Sequence, residues 1–351
     1  MTVRAVDVGY GHIKFSDGRN PATQAIRTDS IPSQSPAYKG SMIKGGGGVM
    51  KRRDTFIIPV GDRHFEVGRE INKALGTNQE TEVMDEKFSL SAPYAARLFG
   101  AINYMTPSLD KDVIDVLVLG LPLNTYRKHH VALAERFTGI HKINDRGETI
   151  DIKSCHVYPQ PMGSYMSYMA MNQVDGKTPV ALSIDPGYNT VDWFLCEGMA
   201  ANDARSGAVQ RGMGAVLRTI ADDMIKTHGF DASPAELIRL IDHSLATDTA
   251  FEIYGHSFDL KKHMSAGNEV IQEAAQAVKN SIGSGSDVKV IIMTGGGAPL
   301  YAQAIQDKFP RHKVVMLPSP ALANVRGFHL IGEMLAKSLG QAMRLRGSAA
   351  A

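Results

Sequence analysis

The chain has 351 residues, 43% of them hydrophobic and 21% charged, with 38 basic against 36 acidic side chains and a formal net charge of +2. That length is more than one ordinary domain needs, and that balance belongs to a soluble globular protein, which excludes a disordered or collagenous one. So small a net charge gives no field for nucleic acid or an anionic membrane, and Cys155 and Cys196, without metal-ligand spacing, suit a reducing compartment without structural zinc. No apolar run approaches bilayer-spanning length and no basic-then-apolar leader precedes Val3, so a cytoplasmic protein is expected.

In chain order, VRAVDV from Val3 is apolar, β-branched and too short for a helix, so it reads as a buried strand. Pro32 to Asp54 is rich in Pro, Ser, Gly and basic residues and reads as a mobile loop. Its Gly45 to Gly48 run lacks the flanking elements and GK[ST] of a P-loop, and Lys51 to Arg53 read as a solvated face. LSAPYAARLFGAINYM and HHVALAERF have helical period and flank the strand-like VIDVLVLGLP. Next comes YPQPMGSY, whose two prolines hold Gln160 extended just before the helical MGSYMSYMAMNQV.

The second half opens with the strand-like PVALSIDPG, followed by the helical AVLRTIADDMIKTHG, SPAELIRLIDHSL and EVIQEAAQAVKNSIG. Ser233 is placed to cap and Pro234 to occupy a first turn. The strand-like VKVIIMTGGG and helical YAQAIQDKF complete the series. Strands alternating with helices imply an α/β fold with largely parallel pairing.

VDVGYGHIK and IDPGYNTVD share one grammar: an apolar strand, Asp, one residue, Gly, Tyr, a small or polar pair, and a returning strand. Taken singly, each is an ordinary turn; at corresponding points of two halves they predict two similar domains. Gly9 and Gly11 permit backbone angles that turn successive N–H groups inward as an anion nest, and Lys14 adds a point charge from the returning strand. Asp7 suits a hydrated Mg²⁺ held through water, and Asp185, with Gly187, Asn189 and Thr190, offers a second such set. As a third glycine signal, Gly295, Gly296 and Gly297 separate the strand-like VKVIIM from a helix and let a ligand approach backbone and helix terminus closely.

In this order the motifs resemble the actin-like ATPase superfamily, most nearly its plasmid-segregation members of the ParM/StbA type, including the PRTRC plasmid group. VDVGYGHIK is similar to the first phosphate motif, SIDPGYNTVDW to the second and IIMTGGGAPL to the adenosine motif. The connecting motifs fall at VLGLPLNTY to VYPQPMGSYMSY and at ALANVRGFHLIG, where Asn324 and Gly327 open the last helix. The resemblance spans nearly the whole chain. It implies an actin-like, ribonuclease H-like α/β fold with a nucleotide cleft between two domains. These are residues 1–160, with a small subdomain at about 30–90, and 161–325, with another at about 205–285; a helix over 326–345 returns to the first.

The resemblance further implies bound ATP or ADP with Mg²⁺, GTP remaining an alternative, and a site shared among Asp7, Gly9, Tyr10, Gly11, His12, Lys14, Asp185, Gly187, Tyr188, Asn189, Thr190, Gly295, Gly296, Gly297 and Ala298. Gly212 and Gly214 fall at the nucleotide's outer side. Arg218 and Asp222, four apart on one helix, form either a face for ribose and base or a surface ion pair. Gln160 takes the position that orients the attacking water, since an amide cannot accept the proton. The implied function is ATP hydrolysis coupled to self-association into filaments, with a DNA-binding adaptor linking them to plasmid DNA and no direct nucleic-acid or membrane contact. The alternatives are a small-molecule kinase of the same superfamily and a non-catalytic, nucleotide-switched binding module.

Overall fold

The computed structural model describes residues 1–40, 53–75, 87–172, 180–198 and 200–349, so the Gly45 to Gly48 run, Lys51 and Arg52 lie outside the described residues. The chain divides into two compact units, one of Met1–Leu75, Met84–Val174 and Leu322–Ala351, the other containing Asp175–Ala321.

The first unit runs β1 (Val3–Val8), β2 (His12–Arg19), β3 (Ile26–Pro32), the hairpin β4 (Thr55–Val60) and β5 (Arg63–Gly68), α1 (Ala92–Met105), β6 (Val113–Ile114), β7 (Val116–Leu121), α2 (Leu123–Phe137), β8 (Gly139–Lys142), β9 (Thr149–Ile152), β10 (Cys155–Pro159) and α3 (Gln160–Asn172). Its main sheet has the order β10-β7-β1-β2-β3. β7 runs parallel to β1 and β10, while β1, β2 and β3 pair antiparallel.

The second unit runs β11 (Val180–Pro186), β12 (Val191–Glu197), β13 (Ala200–Ala201), β14 (Gly207–Val209), α4 (Met213–His228), α5 (Pro234–Thr247), β15 (Phe251–Ile253), β16 (His256–Phe258), α6 (Asn268–Ile282), β17 (Val290–Met293), α7 (Ala298–Lys308) and β18 (Val314–Met316). Its sheet orders β13-β12-β11-β17-β18, with β14 also on β12. The β11/β12 pair is antiparallel and the β11/β17 and β17/β18 pairs are parallel. Strand for strand this repeats the first sheet, as the repeated motif predicts. The chain then returns to the first unit as α8 (Ala323–Ala349). No helix among the described residues is long and apolar enough to cross a membrane.

Successive strand residues face opposite sides of the first sheet, and both sides are covered. Val6, Val8, Leu117 and Leu119 pack with Ala95 and Ile102 of α1; Val3, Ala5, Val116 and Val118 pack with Phe328 and Ile331 of α8. α3 and α8 cross on that second side. A Cβ at Gly327 would stand 1.6 Å from the Gly163 carbonyl oxygen, so the crossing is open only to glycine. A polar chain holds α8 to the strands: the Ala5 N–H donates to Ser16 Oγ, which meets His329 Nδ1 at 2.9 Å, and Arg19 grips Glu333 with two bonds of 2.6 and 2.7 Å. The Arg19 guanidinium holds the Glu333 carboxyl down to about 2. Cys155 and Cys196 are free thiols whose burial pushes them up to about 12.

The helix starts follow local chemistry. The Ser91 and Ser233 side chains accept from the N–H groups of Tyr94 and Glu236, with Pro93 and Pro234 in the first turns. Three expectations are corrected. α2 begins at Leu123 rather than at His129, because Leu123 and Thr125 are buried and carry the buried face nearly two turns further. Gln160 is not extended: it is the first residue of α3, and Pro161 fits there because a first-turn N–H has no helical partner to lose. The start of the supposed mobile loop is clamped. The Ser33 N–H and hydroxyl donate to Gly11 O and Gly9 O, Tyr38 N–H donates to His64 O, and Arg53 pairs with Glu66 at 3.0 Å instead of facing solvent freely.

Candidate functional site

In the first unit the β1–β2 hairpin places Asp7 opposite Lys14, on the sheet side covered by α3 and α8. Asp7 is 1% exposed, and its Oδ2 stands 3.8 Å from Lys14 Nζ. That oxygen is fully enclosed and accepts no hydrogen bond, whereas Oδ1 accepts from Gln160 Nε2 at 2.6 Å. The sequence separates Asp7 from Gln160 by a whole domain's length; the parallel β1–β7–β10 order brings the end of β10 back beside the end of β1. Gly120 on β7 leaves the space: a Cβ there would lie 2.4 Å from the Phe328 ring and 3.4 Å from Asp7 Oδ1. Sequence reasoning missed Gly120, although its place in the alternation of Val116 and Val118 marks it as the gap on that face.

The second unit repeats the hairpin in the same register. Asp185 lies opposite Asp192 as Asp7 lies opposite Lys14, and Gly187 N–H donates to Thr190 O as Gly9 N–H donates to His12 O. Asp192 is the second missed residue, findable by its matching seven-residue offset. It is 2% exposed and accepts from Thr190 Oγ1 at 2.6 Å, so the Thr190 hydroxyl is already engaged. Both carboxylates of this pair are buried, where the first hairpin has one carboxylate and one ammonium.

Two glycine segments far apart in sequence converge on this second hairpin. Gly297 N–H donates to Pro186 O, Met213 N–H to Gly187 O, Gly214 N–H to Tyr188 O and Gly212 N–H to Asn189 O. Gly295 alone of the site glycines has a left-handed backbone, φ 80°, and a Cβ on it would stand 2.1 Å from Asp185 Oδ1. Gly296 is exposed and a side chain there would meet nothing within 4 Å.

These bonds correct the expected nest. Gly9 and Gly187 have no left-handed backbone, and their N–H groups close their own turns. Glycine is needed because a Cβ would come within 2.9 Å of His12 O in one turn and 3.2 Å of Thr190 O in the other. Gly212 and Gly214 likewise spend their N–H groups seating α4 on the turn, and a Cβ on Gly212 would fall 2.6 Å from Tyr188 O. Ala298 is fully buried in the second core, and Tyr188 packs against that core with its hydroxyl pushed up by burial. Tyr10 stacks on Phe88, and His12 opens β2 opposite Pro32. Arg218 and Asp222 are both exposed on α4 and form no ion pair with each other. Asp7, Lys14 and Gln160 thus form one cluster, and Asp185, Asp192 and the glycine turns another.

Residues 5–163 match the model for the N-terminal domain of actin-like proteins, and residues 183–307 match that for the C-terminal domain of the archaeal, MreB-like actin homologue. The chain belongs to the actin-like proteins, and its fold is the actin-like one. Among solved structures it is similar to an archaeal actin homologue, with a TM-score of 0.73 and 18% identity over 95% of this chain and 100% of that one. The same homologue in complex with ADP gives 0.71 and 18%, with the same shares. A ParM from Clostridium botulinum, solved as a 15-stranded filament, gives 0.71 and 20% over 95% of this chain and 100% of that one. No curated protein matches the chain.

Proposed function

We propose that the chain is an Mg²⁺-dependent, actin-like ATPase whose nucleotide state controls its assembly into filaments, and that these filaments segregate plasmid DNA through a DNA-binding adaptor. The observation that carries this reading is the Asp7–Gln160 contact. With its NH₂ committed to Asp7 at 2.6 Å, Gln160 has its carbonyl oxygen left to accept from a water molecule and aim it. An amide cannot remove the water's proton, which suits slow hydrolysis better than transfer to a substrate hydroxyl, where a carboxylate base is expected.

The residues present fit a hydrated divalent cation. Asp7 Oδ2 accepts no hydrogen bond and has Lys14 Nζ at 3.8 Å beside it, which leaves its lone pairs for a water molecule of the cation's shell. Mg²⁺ bound there with a nucleoside triphosphate would neutralise phosphate charge. In the first unit Asp7 would hold the cation through water, with Lys14 as fixed positive charge beside it; in the second unit Asp185 is the matching carboxylate, and exposed Gly296 lets a nucleotide approach the backbone. Support for nucleotide and assembly comes from the ADP complex of the archaeal homologue and the filament of the ParM relative.

Right-angle light scattering and phosphate release, followed together after adding Mg-ATP, test this. Both rise in the wild type and stay flat in Asp185→Ala. Flat scattering, with phosphoryl transfer only when an alcohol is supplied, contradicts it in favour of a kinase.

A further inference from the structure

The second unit carries a cluster of titratable side chains that the nucleotide chemistry does not use. Asp223 and His228 lie on α4, His228 being its last residue before the left-handed Gly229 at φ 66°. His263 closes the short turn Leu260–Lys262 and is 6% exposed. Its Nδ1 lies 2.7 Å from Asp223 Oδ2. A carboxylate accepts there only if Nδ1 carries the proton, so neutral His263 turns the lone pair of Nε2 outward. That lone pair faces His228 Nε2 at 3.1 Å, so in this tautomer His228 donates the bridging proton. The His228 ring is fixed by stacking on Phe230 at 5.2 Å and by an edge contact with Phe258 at 5.0 Å, yet the residue is exposed, so an ion from solvent reaches the pair.

We propose that His228 and His263 bind a divalent transition ion of the zinc, cobalt or nickel class, which takes the place of the bridging proton. With metal–nitrogen distances of about 2.0–2.1 Å, the observed nitrogen separation gives an angle at the metal of roughly 95–100°, between octahedral and tetrahedral values. On binding, His228 takes the tautomer with its proton on Nδ1, so Nε2 is free for the ion and the ring stays neutral. Asp223 is the positioning residue: it fixes the His263 tautomer, as carboxylates behind metal-bound histidines do. Imidazole selects these ions over Mg²⁺, which prefers oxygen. No three His, Cys, Asp or Glu side chains converge on a metal position among the described residues, so water completes the coordination and binding is weaker than at a four-ligand structural zinc site. The bound ion ties the end of α4 to the Leu260–Lys262 turn and raises the second unit's stability.

The test is titration calorimetry of the nucleotide-free full chain with zinc chloride and cobalt chloride, paired with thermal unfolding. One ion per chain is expected to bind and raise the midpoint. His228→Gln, at an exposed position, keeps the native Trp193 emission and loses at least about tenfold in affinity. Asp223→Asn weakens binding by roughly 10–100-fold while leaving the metal-free midpoint in place. Absence of saturable binding below about 1 mM (roughly −4 kcal/mol) overturns the proposal. Binding undiminished in His228→Gln overturns it equally, leaving the histidines as a hydrogen-bonded pair only.

Discussion

Gly295 and Gly296 are neighbours in sequence but not in physical role, and alanine separates them. At Gly295 the backbone has φ 80°, which costs a residue with a Cβ roughly 1–2 kcal/mol. The added carbon would also stand 2.1 Å from Asp185 Oδ1 and 2.7 Å from Pro186 O. Relieving an overlap of that size moves a buried carboxylate, and overpacking of this kind costs about 1–3 kcal/mol. Gly295→Ala therefore destabilises the second unit by about 2–5 kcal/mol, whereas Gly296→Ala, with nothing within 4 Å, stays within about 0.5 kcal/mol. Trp193, the only tryptophan, is 7% exposed in that unit's core and reports on it alone, so urea unfolding followed by its fluorescence measures both. At a slope of about 2 kcal/mol/M, the Gly295→Ala midpoint falls by about 1–2.5 M. A Gly295→Ala midpoint equal to wild type, or a Gly296→Ala midpoint as low, refutes the reasoning.

Gln160→Ala removes the water-aiming carbonyl while leaving Asp7 and Lys14 in place. Single-turnover hydrolysis is expected to fall by about 10²-fold or more, with nucleotide affinity changed by only a few-fold; equal losses in both would place Gln160 in binding instead. Glu333 titrates in the folded state at about 2, below the ordinary 4.5, so its stabilisation is complete above pH 4.5 and is lost as pH falls towards 2. The pair is one-third exposed, so Glu333→Gln is expected to cost only on the order of 1 kcal/mol at pH 7 after solvent screening. Thermal unfolding across pH 2 to 7 checks this: the wild-type and variant curves converge at the acid end, and a constant gap removes Glu333 as the cause. Gly296→Ala is expected to weaken binding of a fluorescent ADP analogue at unchanged stability; unchanged affinity would take Gly296 out of the site.

Period and repetition made much of this architecture legible in the sequence. The two hairpins announce themselves because Asp, Gly and Tyr recur at equal offsets behind apolar strands, and the structure keeps even their register, Asp7 with Lys14 and Asp185 with Asp192. The short strands β4, β5, β8, β9, β15 and β16 went unread, since partly exposed runs of three to six residues carry little periodic signal. The glycines were legible as a site but not in their mechanism. A glycine tolerated for its φ and one required by a neighbour's carbonyl look alike in sequence, and only Gly295 among them is of the first kind. Gly120, Ser33 and Asp192 were missed because their roles depend on contacts the chain makes far from them in sequence or across a strand pair.

The central claim, nucleotide-controlled self-assembly that depends on the hairpin carboxylates, meets its most direct test in electron micrographs of negatively stained protein. Wild type with Mg-ATP is expected to show filaments, and wild type without nucleotide and Asp185→Ala with Mg-ATP to show none. Filaments in Asp185→Ala, or their absence from the wild type with Mg-ATP across a range of protein concentrations, would contradict it.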